Sequence, residues 1–174
     1  MAVREPFSGL DELFFYKNKL AEDLMTNERI LELLDHENIG LKPDELMYNC
    51  VYPYEYVPNV TENTTTYICF DVDITRVPNT TYLLPSIYIW VFTHDSLMRL
   101  PGGGLRVDAI VSQIDRTING SREYGLGRLE LDTIKRYSPI QHYQGRIMKY
   151  AATDWNRPKA GRDHNDLPSN RRAR

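Results

Sequence analysis

Cysteine is scarce in this chain. Only Cys50 and Cys69 occur, both in apolar, strand-like contexts and without the C-x-x-C spacing of a metal or redox pair, which leaves two buried free thiols as the reading. No apolar run approaches the roughly eighteen residues of a membrane span, and no basic stretch followed by an apolar core opens the chain. The expectation is a cytoplasmic protein with no membrane segment. The N-x-S/T sequons at Asn59, Asn63, Asn79 and Asn119 are then loop chemistry rather than glycan sites. Nucleophile signatures are missing too: there is no G-x-S-x-G elbow, and neither cysteine has a neighbouring histidine in sequence. The run "PGGGLRVD" has the glycines of a phosphate loop but not the Lys-Ser/Thr that must follow them, nor the spaced glycines of a dinucleotide fold. A corner that lets a helix pack back on a sheet explains those glycines better.

What is present describes an ordinary globular chain. At 174 residues, 41% hydrophobic and 26% charged, it fits one domain and can bury a core without metals or disulfide staples. Tyrosine, at twelve, is the unusual entry; it suits protein contact surfaces as well as core margins. Charge is uneven. Residues 1–155 carry 15 Lys+Arg against 22 Asp+Glu, whereas 156–174 carry six against two. We therefore read 1–155 as a single domain and 156–174 as a basic, extended tail.

Periodicity places the elements. Leu10, Leu13, Phe14, Leu20 and Leu24 recur at helical spacing over about residues 9–25, and Ser8 with Asp11 resembles a capping signal. Ile30, Leu31, Leu33 and Leu34 mark a second short helix closed by Gly40 and Pro43, and "KPDELMYN" suits one more turn. From residue 50 the period becomes two. "CVYPYEYVP" is extended, but its prolines confine it to a sheet edge. "TTTYICFDVDITRV" alternates, with Ile68, Phe70, Val72 and Ile74 on one face and Tyr67, Cys69, Asp71 and Asp73 on the other, as in a half-solvated antiparallel strand. "PNTTYLLPS" reads as a connection, and "IYIWVF" as a central strand covered on both faces. Val107, Ile110, Val111, Ile114 and Ile118 form the apolar stripe of a helix ending at Asn119-Gly120; Arg106, Asp108, Gln113, Asp115 and Arg116 take its polar side. "RLELDTIKRYS" and "QGRIMKYAATDW" read as outer strands. The predicted class is α+β: N-terminal helices, then a mainly antiparallel mixed sheet with one amphipathic helix packed across it.

One constellation carries possible chemistry. Asp71 and Asp73 share a strand face, and His94 with Asp95 end the next strand, a donor set that a metal-dependent nuclease would use. A D-x-D on the wet face of a strand is more often simple solvation.

The strand "YICFDVDI", the strand "IYIWVFTHDSLM", the helix "LRVDAIVSQIDRTI" and the closing "YQGRIMKYAATDW" together resemble the small neck and tail-completion proteins of tailed bacteriophages, those of the tail-terminator type most. The resemblance covers residues 9–155; the tail and the tyrosine-rich segment 48–67 depart from the minimal pattern. It implies a virion protein, assembled in the host cytoplasm, that forms a closed ring, commonly hexameric at the tail end and twelvefold nearer the portal. It further implies a late strand carrying the self-assembly edge, contacts to neighbouring neck and tail-tube proteins, and DNA passing through the lumen without specific binding. No cofactor, metal, catalytic residue or membrane is implied. The contact residues expected on this basis are Tyr48, Tyr52, Tyr54 and Tyr56, the corner residues His94, Asp95, Met98 and Arg99, and Arg157, Arg171 and Arg172 of the tail. A head-completion connector or stopper of the same neck is the alternative within this class.

Overall fold

The structure is a computed structural model and describes residues 10–34, 42–58, 64–79 and 81–155. The expected class is observed. Helices α1 (Asp11–Met25), α2 (Glu28–Leu34) and the single turn α3 (Pro43–Leu46) precede strands β1 (Val51–Tyr52), β2 (Thr66–Arg76) and β3 (Tyr82–His94). A 3₁₀ turn (Asp95–Leu97) and the glycine corner lead to α4 (Arg106–Ile118), and β4 (Glu130–Tyr137), β5 (Tyr143–Ala151) and β6 (Asp154–Trp155) close the order. The sheet runs β1-β2-β3-β5-β4 and is antiparallel except where β1 joins β2.

The central strand β3 pairs with β2 on one side and with β5 on the other along most of its length. It starts earlier than the sequence implied. Tyr82–Ser86, expected as connection, are strand residues, and Pro85 sits among them because the ladder is broken around it on both sides. Opposite Ile74 it adjoins the bulge between Ile74 and Arg76. Towards β5 its carbonyl accepts from the Ala152 amide, but with no N–H it returns nothing, so β5 and β6 are two pieces of one register: Ser86 faces Ala151 and Leu83 faces Asp154.

Among the described residues, helices cover one face only. Ile68, Phe70, Ile87, Ile89, Val91, Met148 and Tyr150 point into this layer and are buried. There α4 lies over β3 and β5, the Tyr150 hydroxyl donating to Asp115 at 2.9 Å, while α1 lies over β2. The stripe of α4 is buried at Val107, Ile110, Ile114 and Ile118, and Gly120 (φ 83) ends the helix as expected. Arg106, expected on the polar side, is instead buried at 7% exposure. Its guanidinium donates to the Leu97 and Leu33 carbonyls and so ties α2 to the corner before α4; burial lowers its pKa.

The opposite face of the sheet is covered by side chains of its own strands and of residues 53–58. The half-solvated reading of β2 therefore holds only for its second half: Tyr67 and Cys69 are buried, whereas Asp71 is half-buried and Asp73 exposed. Tyr56 stacks on Tyr52 (4.0 Å between centroids) and packs against Tyr67, which meets Phe92 and Tyr143. Gly145 makes this cluster possible, because a Cβ there would lie 1.9 Å from the Val91 carbonyl oxygen and 2.6 Å from Phe92 Cα. Gly145→Ala is expected to destabilise the fold by about 3 kcal/mol, as severe overpacking does. Denaturant unfolding showing a loss under about 0.5 kcal/mol would mean that the β3–β5 contact is looser than described.

Candidate assembly surfaces

The expected contact residues fall into two regions. Tyr48 (φ 63) is held in a left-handed turn after α3 and is 61% exposed; Tyr54 is 45% exposed, packed edge-on against Tyr52 at 5.6 Å. Tyr52 is buried and Tyr56 half-buried, so these two serve the subunit's own core. Arg157, Arg171 and Arg172 lie outside the described residues.

The second region is the corner after β3. His94 accepts at Nδ1 from the Ser96 amide, lies 2.8 Å from the Ser96 hydroxyl, and sets its ring edge-on to Tyr143. His142 Nδ1 lies 3.5 Å from an Asp95 carboxylate oxygen, both groups about half exposed, and the Asp95 amide donates to the His142 carbonyl. Met98 packs partly against the core while Arg99 is exposed. The glycines that follow form scaffold, as the sequence indicated. Gly103 (φ 93) and Gly104 (φ 85) make a tight turn in which the Gly103 amide donates to Leu100, and the first amide of α4 donates to the Met98 carbonyl. That donor, one a phosphate would need, is taken internally.

The nuclease donor set does not assemble. Asp71 lies opposite Tyr88 on β3, and from Tyr88 to His94 there are six residues of strand, about 20 Å at the usual rise. Asp71 instead forms an ion pair with Lys17 of α1 at 2.5 Å. Among the described residues, no three His, Cys, Asp or Glu side chains are spaced to hold a metal ion.

Two sheet edges are also open, one of them a late strand, as the resemblance implied for the self-assembly edge without naming its residues. Among the described residues β4 pairs only with β5, all but the last of its residues are exposed, and Leu131 (38%) and Ile134 (45%) stand on the helix-side face. Beside them a cleft of about 470 Å³ runs between α4 and β4, lined by Val111, Leu131, Ile134 and Met148 together with Ser112 and Asp115, with Asp108 and Arg146 paired at its rim. At the other end of the sheet, β1 covers β2 only at Ile68 and Cys69. Among the described residues, Asp71–Arg76 pair with no strand on the side away from β3. Above that edge α1 carries Phe14, 72% exposed. The signal for β4 was in "ELDTIKRY", whose mixed polarity marks an outer strand; nothing in the sequence showed that α4 stops short of covering it.

The profile of the YomW family matches residues 27–152, from the start of α2 to the end of β5. The chain belongs to the YomW family. That membership points to a phage-associated protein. Comparison with curated proteins finds no match. No helix among the described residues is long and apolar enough to cross a membrane.

Burial raises the thiol pKa of both cysteines, Cys50 and Cys69, to about 12, and the Tyr52 phenol is likewise pushed up to about 12. These groups stay protonated in the fold but ionise in the unfolded chain from about pH 8.5 (Cys) and pH 10 (Tyr). The folded state then holds the extra protons, so stability falls as pH rises through that window and is unaffected by them below it. Denaturant unfolding across the alkaline range is expected to show this decline, with iodoacetamide sparing both thiols until the protein unfolds. Rapid alkylation of the native protein would contradict the burial of both groups.

Proposed function

We propose that this is a structural virion protein of a tailed phage, one that forms a ring at the head-tail interface and terminates or joins the tail, and that it has no catalytic role. The observation that carries the reading is the pair of open edges on one sheet. An eight-residue edge strand, with Leu131 and Ile134 exposed above the cleft beside α4, leaves backbone groups and apolar side chains open to strand addition, while its charged residues and its bulge restrict which strand it can accept. Different edges at the two ends suit heterologous contacts, in which one patch meets a different patch on the next copy and a suitable rotation closes a ring. Family membership supports the phage association, and the resemblance to tail-terminator proteins supports the place in the tail.

Six copies are the proposed number, with neighbouring neck and tail-tube proteins above and below. The body's excess of acid over base, 22 to 15, gives a lumen that repels phosphate, so DNA slides through without binding. A head-completion connector would differ in ring order and neighbours but not in chemistry. Native mass spectrometry and negative-stain microscopy of the full chain are expected to show closed rings. A monomer that persists at high concentration, and that adds to no tail tube, would overturn the proposal.

A further inference from the structure

The two open edges match each other, and the match fixes which surfaces meet. Directions agree first. β2 is antiparallel to β3, β3 to β5 and β5 to β4, so a second copy placed beside β4 in the same orientation presents its β2 antiparallel to it. Spacing agrees next. Asp71 and Arg76 are five residues apart on β2, and Glu130 and Lys135 five apart on β4. An odd spacing normally puts two side chains on opposite faces. Here each strand carries one irregularity, between Ile74 and Arg76 and between Leu131 and Thr133, and in both the odd count is undone. Asp71 and Arg76 lie opposite Tyr88 and Leu84, and Glu130 and Lys135 opposite Ala151 and Ile147; each pair therefore shares a face, and through β3 and β5 it is the same face of the sheet. In antiparallel register Arg76 then meets Glu130 while Asp71 meets Lys135, acid on base at both ends.

The helix layer agrees as well. It is missing over β4, where the cleft opens, and α1 of a second copy, riding above its own β2, arrives at that gap. Lys17, which reaches Asp71 at the open edge, places its side of α1 there. Phe14 is three residues away and so on the same side, turned from Lys19, Asp23 and their contacts with Glu123 and Tyr124.

We infer that β4 of one copy pairs antiparallel with Asp71–Arg76 of the next, Glu130 on Arg76 and Lys135 on Asp71, and that Phe14 of the second copy enters the cleft between α4 and β4 of the first. The inference deepens the ring reading and rests on it. Charge reversal with rescue tests it. Arg76→Glu and Glu130→Arg each set like charges across the junction, and each is expected to weaken association at least about tenfold, while the double variant recovers most of the loss. Phe14→Asp is expected to weaken it comparably. All three positions are exposed, and circular dichroism checks that each variant keeps the wild-type fold; Phe14→Ser is the milder substitute should Phe14→Asp not. Sedimentation velocity gives the readout. If the wild type assembles and the single variants assemble equally well, or the folded double variant is no better than either single, the junction is wrong and the ring reading stands. If β4 pairs with a second β4, Arg76→Glu has no effect, which overturns the junction too. If the wild type never assembles, both fall.

Discussion

The width of the helical layer is the constraint from which the rest follows. Two helices side by side cover about 20 Å, and strands are spaced about 4.8 Å apart, so α1 and α4 shield about four strand positions. The sheet needs five. The layer is anchored at its middle, where α4 is tied to β5 by the Tyr150–Asp115 hydrogen bond and to α2 by the buried Arg106, so the deficit falls at the outside, over β4. Leu131, Ile134 and the flank of Val111 are left showing. The same stripe on α4 that drives the helix onto the sheet is thus one residue wider than the subunit can bury.

The abundance of tyrosine has a different cause from the one its composition implied. Tyr16, Tyr124, Tyr137 and Tyr150 donate their hydroxyls to Asp154, Asp23, Glu55 and Asp115 respectively, each ring filling space while its tip reaches a carboxylate. A chain with more acid than base can place carboxylates at the margin of its core only by giving them donors, and the phenol supplies one at the end of a rigid apolar ring. Tyr52, Tyr56, Tyr67 and Tyr143 serve the unhelical face by stacking instead. Only Tyr48 and Tyr54 among the four expected contacts are left largely outside.

Period and turn chemistry made the elements legible: α1, α2 and α4, the edge position of "CVYPYEYVP", the central strand and the stop at Gly120 can all be read from residue spacing. Three features could not be, each for a reason lying outside local sequence. Tyr67 and Cys69 alternate as though solvated because the cover over them comes from residues 53–58, a tertiary contact. Tyr82–Ser86 look like a turn because Pro85 is a strand breaker anywhere except beside a bulge. Arg106 sits where a helical wheel puts a solvated side chain, but the start of the helix is roofed by α2, whose carbonyl takes the charge-bearing group. For the candidate surfaces, spacing identified the corner at His94 and Asp95 as a turn, yet the edges depend on strand order, and strand order is not written in any one segment.

Interior and edge differ in how completely their polar groups are engaged. Among the described residues, no buried side-chain nitrogen or oxygen lacks a hydrogen-bond partner. At β4 and the second half of β2, backbone groups face no further strand among the described residues; the Val72 amide donates to the Asp71 carboxylate, and the rest lie beside apolar side chains that water covers at a cost of about 25 cal/mol per Å². Pairing two such edges removes both deficits together, since strand addition engages the backbone and brings α1 over the exposed cleft in one step. The bulges matter here because they set which side chains share a face, and a junction that aligned the backbone but opposed Asp71 to Glu130 would lose by repulsion what it gained in hydrogen bonds. In the proposed junction, the matched irregularities of two strands that do not pair within one subunit keep acid opposite base.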